Sequence, residues 1–219
     1  MIAILDYEAG NQTSVRRALD HLGIPCAVTA DPKALERASG VIFPGVGAAG
    51  QAMGHLKRHG LDAVIKDIVA RETPLLGICL GCQILLESSE EDGGIPTLGI
   101  MPGVCRRFDG GLREEDGSPV RIPHMGWNGL NVKSGRNGLP ESPLLRGIEP
   151  DAQFYFVHSY YVSTDPSLVL TTTRYGIEFC TVYGRDGLWG AQFHPEKSGA
   201  PGLRLLRNFC DYSQGSTSC

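Results

Sequence analysis

The sequence predicts an α/β protein in a single domain, with a mostly parallel central sheet covered by helices and a smaller antiparallel β region. Three observations carry this. Residues 1–90 alternate short apolar runs with segments of helical spacing, the pattern of strands joined through helical crossovers. From about residue 98 the apolar runs shorten and are separated by Gly, Pro and Asp clusters, as in hairpins and loops. At 219 residues the chain can bury one substantial core, and no linker or internal repeat divides it.

The first unit is a strand over residues 2–5, followed by a helix over about residues 13–22 whose apolar face is Val15, Ala18, Leu19 and Leu22. A second strand covers residues 26–29, and Asp31-Pro32 leads into a short helix. Val41-Ile42-Phe43 is a buried strand that ends in the glycine-rich turn Pro44-Gly45-Val46-Gly47. Leu61, Val64, Ile65, Ile68 and Val69 then recur at helical spacing, ahead of the apolar run Pro74-Leu75-Leu76 and a helix-like Gln83-Ile84-Leu85-Leu86-Glu87. Loops follow at Asp109-Gly110-Gly111 and Glu115-Asp116-Gly117-Ser118-Pro119. Residues 153–162, 168–173, 177–183 and 188–193 read as strands and residues 203–209 as a closing helix. The tail from residue 213 to 219 reads as disordered, which leaves residues 1–212 as the domain.

Composition narrows the function. A formal charge of −4 with 20% charged residues describes an ordinary soluble protein without the basic stripe of a nucleic-acid binder. The apolar opening Met1-Ile2-Ala3-Ile4-Leu5 stops at Asp6, too short for a secretory leader, and no later stretch approaches a membrane span. The chain is expected in the cytoplasm, with neither nucleic acid nor membrane as partner. Its seven cysteines are odd in number and scattered, which fits reduced thiols rather than a disulfide framework.

Two segments carry chemistry. Gly77-Ile78-Cys79-Leu80-Gly81 follows a strand and precedes a helix, the order that a nucleophile elbow requires, and its glycines let the turn tighten so that a thiol stands clear. The competing reading of Cys79 is a buried packing cysteine. Far along the chain stands His194-Pro195-Glu196. Proline biases the residue before it toward extended backbone, where side chains two apart point the same way, so imidazole and carboxylate can meet. A carboxylate on one ring nitrogen fixes the tautomer and leaves the other free to take a thiol proton.

Pro44-Gly45-Val46-Gly47 ends a strand at the same sheet edge and is a candidate oxyanion donor beside the Leu80 amide, the alternative being a plain tight turn. It lacks the lysine of a phosphate loop. Cys82 makes a Cys-x-x-Cys spacing with Cys79, but no second cysteine pair exists for zinc, and no metal or cofactor is expected. His124 and His158 stand in aromatic-rich segments that could line the cleft, and neither is favoured as a base.

Taken together these segments resemble the class I glutamine amidotransferases, with their Gly-x-Cys-x-Gly elbow and late His-x-Glu. Asp6-Tyr7 with Gly10-Asn11, Pro44-Gly45-Val46-Gly47, Pro123-His124-Met125-Gly126-Trp127-Asn128, Phe156-Val157-His158-Ser159-Tyr160-Tyr161 and Gln192-Phe193-His194-Pro195-Glu196-Lys197-Ser198-Gly199 narrow the likeness to the glutaminase subunits of imidazole glycerol phosphate synthases. The resemblance runs from residue 1 to about 212. It implies hydrolysis of L-glutamine by Cys79 as nucleophile, His194 as acid and base and Glu196 as its orienter, with Gly45, Val46 and Leu80 at the oxyanion. It further implies Gly47, Gln83, Ser159 and Tyr160 around the substrate's amino-acid end. Asn11, Trp127, Asn128 and Lys197 would face a separate (β/α)8-barrel synthase subunit that consumes the ammonia in histidine biosynthesis. The rival readings are the glutaminase of a vitamin-B6 or anthranilate type amidotransferase, a cysteine peptidase on a related scaffold, and a non-catalytic binding module.

Overall fold

The computed structural model describes residues 1–8, 10–133 and 142–215. Its first half is a run of crossovers: β1 (Ile2–Leu5), α1 (Gln12–His21), β2 (Cys26–Thr29), α2 (Pro32–Glu36), β3 (Gly40–Gly45), α3 (Ala49–Arg58), α4 (Leu61–Ala70), β4 (Leu75–Cys79) and α5 (Leu80–Ile84). Short strands β5 (Ser88–Ser89), β6 (Ile95–Pro96) and β7 (Val104–Arg107) follow, then β8 (His124–Gly129) and β9 (Asn131–Val132). The chain ends through β10 (Gln153–His158), β11 (Tyr160–Ser163), β12 (Val169–Tyr175), β13 (Ile177–Arg185), β14 (Leu188–Ala191) and α6 (Gly199–Ser213).

One mixed sheet dominates, in the order β2-β1-β3-β4-β14-β13-β11-β7-β5-β6. Its half from β2 to β14 is parallel throughout, and antiparallel pairing begins where β13 meets β14. The antiparallel strands therefore continue the parallel sheet, and the separate piece is the two-stranded ribbon of β8 and β10. Residues 153–162, expected as one strand, are two. The break at Ser159 sends β10 to the ribbon and β11 to the main sheet, a change of partner that alternating apolar residues cannot reveal.

The parallel strands are apolar at nearly every position because both faces are covered. Ala3, Leu5, Val41, Phe43 and Leu75 point to the side of α3 and α4, where Ala52, Met53, Leu56, Ile65 and Ile68 meet them. Their strand neighbours Ile2, Ile4, Ile42, Leu76 and Ile78 point the other way, onto Val15 and Leu19 of α1 and Leu205, Leu206 and Phe209 of α6. Each fully buried Leu or Ile contributes about 1.5–3 kcal/mol, so α1 and α6 clamp one face as firmly as α3 and α4 clamp the other.

Helix α3 is absent from the sequence-based expectation, because Gly50 and Gly54 weaken its intrinsic propensity. It forms on a buried stripe of Ala49, Ala52, Met53 and Leu56. Its first amides are capped from a distant segment: Ala49 N donates to Glu91 Oε2 at 2.7 Å and Gly50 N to Asp92 Oδ2 at 3.2 Å. Ser213, expected to open a tail, is the last residue of α6, and residues 216–219 lie outside the described residues. Among the described residues no helix is long and apolar enough to cross a membrane, and Cys26, Cys79, Cys82, Cys105, Cys180 and Cys210 are all free thiols.

His124 and His158 are packing residues of the core under the ribbon. His158 Nδ1 donates to Tyr160 O at 2.8 Å, so its Nε2 must accept, and His124 Nδ1, 3.1 Å away, must donate to it. Both rings are neutral among Phe108, Phe156, Phe179 and Tyr175. Burial lowers His124 to a pKa of about 4, and burial with the neighbouring imidazole lowers His158 to about 3. Unfolded histidine takes its proton near pH 6.5, so the unfolded chain binds more protons throughout the interval below that. Stability from this pair is complete above pH 6.5 and is lost as pH falls toward 4. Thermal melts between pH 7.5 and 4.5 should show a falling midpoint, and His158→Gln, which can still donate to Tyr160 O, should flatten that fall while lowering the plateau.

Candidate active site

The C-terminal ends of the parallel strands converge on one cleft, where ligands bind in open α/β sheets. Asp6 and Tyr7 follow β1, Gly45 closes β3, Cys79 closes β4 and His194 follows β14. Gly45 and Cys79 are register partners across β3 and β4, which sets the glycine turn directly beside Cys79.

At the elbow Cys79 has φ 52° and ψ −111°, backbone that is strained for a residue with a side chain. The strain is imposed by packing. Helix α5 begins at the next residue and crosses β3 so closely that a Cβ on Gly81 would overlap the carbonyl of Phe43. Gly77 is similarly confined, since a Cβ there would stand 2.9 Å from Cys82 N. The helix starts at Leu80, three residues earlier than its apolar spacing suggests. Cys82 is fully buried; burial and then the neighbouring cysteines push its thiol well above the usual range, and its carbonyl accepts from Tyr183 Oη at 2.5 Å. It packs in the core between α5 and β13.

His194 Nδ1 and Glu196 Oε1 are 2.8 Å apart with both side chains sealed from solvent. Burial lowers the affinity of the ring for a proton, but Cys79 and then Glu196 outweigh it, and the pKa rises to about 10. His194 Nε2 is buried and makes no hydrogen bond among the described residues, which leaves that nitrogen for the chemistry. The loop is fixed by two bonds to the ribbon and one within itself: His194 N donates to Tyr155 O at 2.9 Å, Tyr155 N to Ser198 Oγ at 3.0 Å, and Ser198 Oγ to His194 O at 2.6 Å. The sequence marks Ser198 only as a motif residue, since its role depends on β10.

Other expected site residues divide into those at the cleft and those already engaged. Val46 is exposed beside Gly47, whose φ is 95°, so the turn after Gly45 lies open. Gln83 is buried, and its Nε2 donates to Tyr160 O at 3.0 Å and Gln192 Oε1 at 3.1 Å. It braces α5 against β11 and the end of β14. Ser159 and Tyr160 sit at the break between β10 and β11, half-buried. Asn11, expected at a partner surface, turns inward: its Nδ2 donates to Glu196 Oε1 at 2.6 Å. Asn128 is bonded internally to Arg174 O at 3.0 Å, whereas Trp127 and Lys197 are exposed. Tyr7, quoted in the sequence only as part of the Asp6-Tyr7 motif, joins the site. Its hydroxyl is buried without a hydrogen bond among the described residues, packed on Gly45 so tightly that any side chain there would collide with it.

Comparison with known proteins agrees with this geometry. The family model "Glutamine amidotransferase class-I" matches residues 3–212. A curated protein named imidazole glycerol phosphate synthase subunit HisH, from Desulfovibrio desulfuricans, is 65% identical over 99% of this chain and 96% of its own. The protein of the same name from Nitratidesulfovibrio vulgaris is 61% identical over 97% of each. A solved glutamine amidotransferase from Thermotoga maritima, only 15% identical, superimposes with a TM-score of 0.64 over 99% of this chain and 98% of its own, a likeness of fold. With a model match over nearly its whole length and relatives this similar, the chain belongs to the class I glutamine amidotransferase family.

Proposed function

We propose that this chain hydrolyses L-glutamine to glutamate and ammonia as the glutaminase subunit of imidazole glycerol phosphate synthase. The observation that carries the reading is the sealed His194–Glu196 pair at 2.8 Å beside a cysteine held in elbow backbone. Relatives sharing 65% and 61% of the sequence and bearing that name support the choice of synthase over other amidotransferases.

Cys79 Sγ gives its proton to His194 Nε2 and attacks the side-chain amide carbon of glutamine. The charge that develops on the carbonyl oxygen is held by the Leu80 amide and by an amide of the Gly45-Val46-Gly47 turn. His194 Nε2 delivers its proton to the departing nitrogen, and ammonia leaves a γ-glutamyl thioester. Formation of the S–C bond moves negative charge from the sulfur beside His194 to the carbonyl oxygen, so the imidazolium becomes the stronger acid before the leaving group needs its proton. As a neutral base it then takes a proton from water, which attacks the thioester and frees glutamate. Glu196 keeps Nδ1 protonated throughout, and Asn11 holds the carboxylate in place.

The ammonia passes to a (β/α)8-barrel synthase subunit that makes imidazole glycerol phosphate and an aminoimidazole carboxamide ribonucleotide in histidine biosynthesis. Support for a docked partner comes from exposed apolar side chains near the cleft. Met125 and Trp127 are 62% and 57% exposed and two apart in β8, hence on one face of the ribbon. Trp127 lies edge-on to Tyr155 at 5.9 Å, and Tyr155 is the residue bonded to the His194 loop. The direct test is ammonia release from glutamine by the chain alone and with a co-expressed barrel synthase. No release in either case would reject the proposal.

Cys79→Ala should abolish glutamine hydrolysis while the complex still runs on added ammonium, because only nitrogen supply is lost. Cys79→Gly should also be inactive yet melt at a higher temperature than Cys79→Ala, since glycine relieves a strain on the order of 1–3 kcal/mol. Equal melting temperatures would mean that the elbow stores no strain.

Glu196→Gln should lower kcat far more than it changes KM, and His194→Ala should cost more than either. Asn11 touches Glu196 and not the substrate, so Asn11→Ala should lower kcat by roughly tenfold, the scale of a small loss of alignment. Ammonium-driven synthesis by the Asn11→Ala complex should stay at the wild-type rate; a parallel fall would place Asn11 in partner docking instead.

A further inference from the structure

Outside the catalytic cleft, Glu8, His55 and His59 bring one ligand atom each within 4.8 Å of one another. His55 lies in α3 and His59 is its C-cap. Four residues apart, they share one face of the helix. Glu8 belongs to the loop after β1, has φ 66°, and its carboxylate approaches α3 at His55. Glu8 Oε2 is 3.1 Å from His55 Nδ1, an ion-pair contact when the ring is protonated, and among the described residues that nitrogen is buried without a hydrogen bond. The same spacing suits two ligands of one ion. Donors about 2.0–2.2 Å from a common ion, at tetrahedral or octahedral angles, sit about 3–3.4 Å apart. The carbonyl end of α3 adds a favourable dipole for a cation.

We propose that Glu8, His55 and His59 bind a divalent transition-metal ion of the zinc class, with water completing the shell. Two imidazoles and a carboxylate suit zinc, and nickel or copper, over magnesium or calcium, which prefer all-oxygen shells. The site uses none of the cysteines. An ion there joins the loop after β1 to α3, the two segments that flank the glycine turn on either side. Gly10 of that loop already rests on the turn, a Cβ placed there standing 3.2 Å from Val46 Cγ2. Asn11 follows directly and carries the bond to Glu196. Bound metal therefore restrains the loop that supports both the oxyanion turn and the catalytic carboxylate.

The test is zinc titration of the full-length, tag-free, reduced chain by calorimetry, together with thermal melts. It is made in a Cys79→Ala background so that the thiol and His194 offer no rival site. The expected result is one zinc per chain, with a melting temperature that rises on binding. His59→Ala in that background should weaken binding by at least about tenfold, the loss known even for outer partners of metal ligands, and Glu8→Gln should do the same. Both positions are exposed, so these variants keep the fold, which unchanged melting without zinc would verify. Equal affinity in the presence and absence of His59 would overturn the proposal. So would zinc binding that disappears with Cys79→Ala alone, which would assign the ion to the catalytic pair.

Discussion

Gly81 and the carbonyl of Phe43 are in such close contact that no side chain fits between them, and the arrangement of the active site depends on that contact. It lets α5 start on the residue after β4 and cross the neighbouring strand without a spacer. A helix launched from a strand with no loop must take its turn within one residue, so Cys79 adopts φ 52° and its side chain is carried out of the sheet. The strain is held by burial on either side: Leu76 and Ile78 lie in one core layer and Leu80, Ile84 and Leu85 in the other. Reactivity at the thiol is thus a consequence of packing beneath it.

His194 reaches the same point from the other direction. Strand β14 pairs in parallel with β4, so their C-terminal ends stop side by side, and the loop leaving β14 is delivered to the elbow at the end of β4. The ring is then oriented from three separate parts of the chain: Glu196 two residues on, Asn11 from the loop after β1, and the backbone of Tyr155 from the ribbon. A short local motif supplies the carboxylate. The alignment that makes it useful comes from the ribbon and from a loop near the opposite end of the sequence.

That division explains how much of the structure was legible in the sequence. Strands β1 and β2 and helices α1 and α4 follow from apolar spacing within a few residues, and α2 from Asp31-Pro32, because each is a local element. The elbow and His-Pro-Glu are legible for the same reason: their geometry is dictated by glycine and proline inside the motif. Helix α3 is not, since its two glycines argue against a helix and its caps, Glu91 and Asp92, lie some forty residues on. The break at Ser159 is invisible because β10 and β11 have compatible apolar patterns and differ only in partner. Asn11 reads as a partner-facing residue and Gln83 as a substrate-facing one, and each also makes a part-buried hydrogen bond to a group that only topology brings near.

The glycine turn occupies the opposite position to the elbow. Cys79 is held from below by two core layers, whereas Val46 is exposed and Gly47 sits at φ 95°, with Tyr7 packed on Gly45 behind it. The elbow side of the proposed oxyanion site is therefore held from below, and the turn is backed by an overlying loop and by a phenol without a hydrogen bond among the described residues. A hydroxyl buried without a partner costs on the order of 1–3 kcal/mol, a cost that a rotated peptide carbonyl at the turn could offset by accepting from it. In the proposed reaction the same rotation would decide whether an amide N–H or a carbonyl oxygen faces the substrate. The proposed nucleophile would then be fixed by packing and the proposed charge-stabilising donor adjustable. Whatever settled on the turn, whether the loop after β1 or a docked subunit, would act on the transition state without touching the proposed triad.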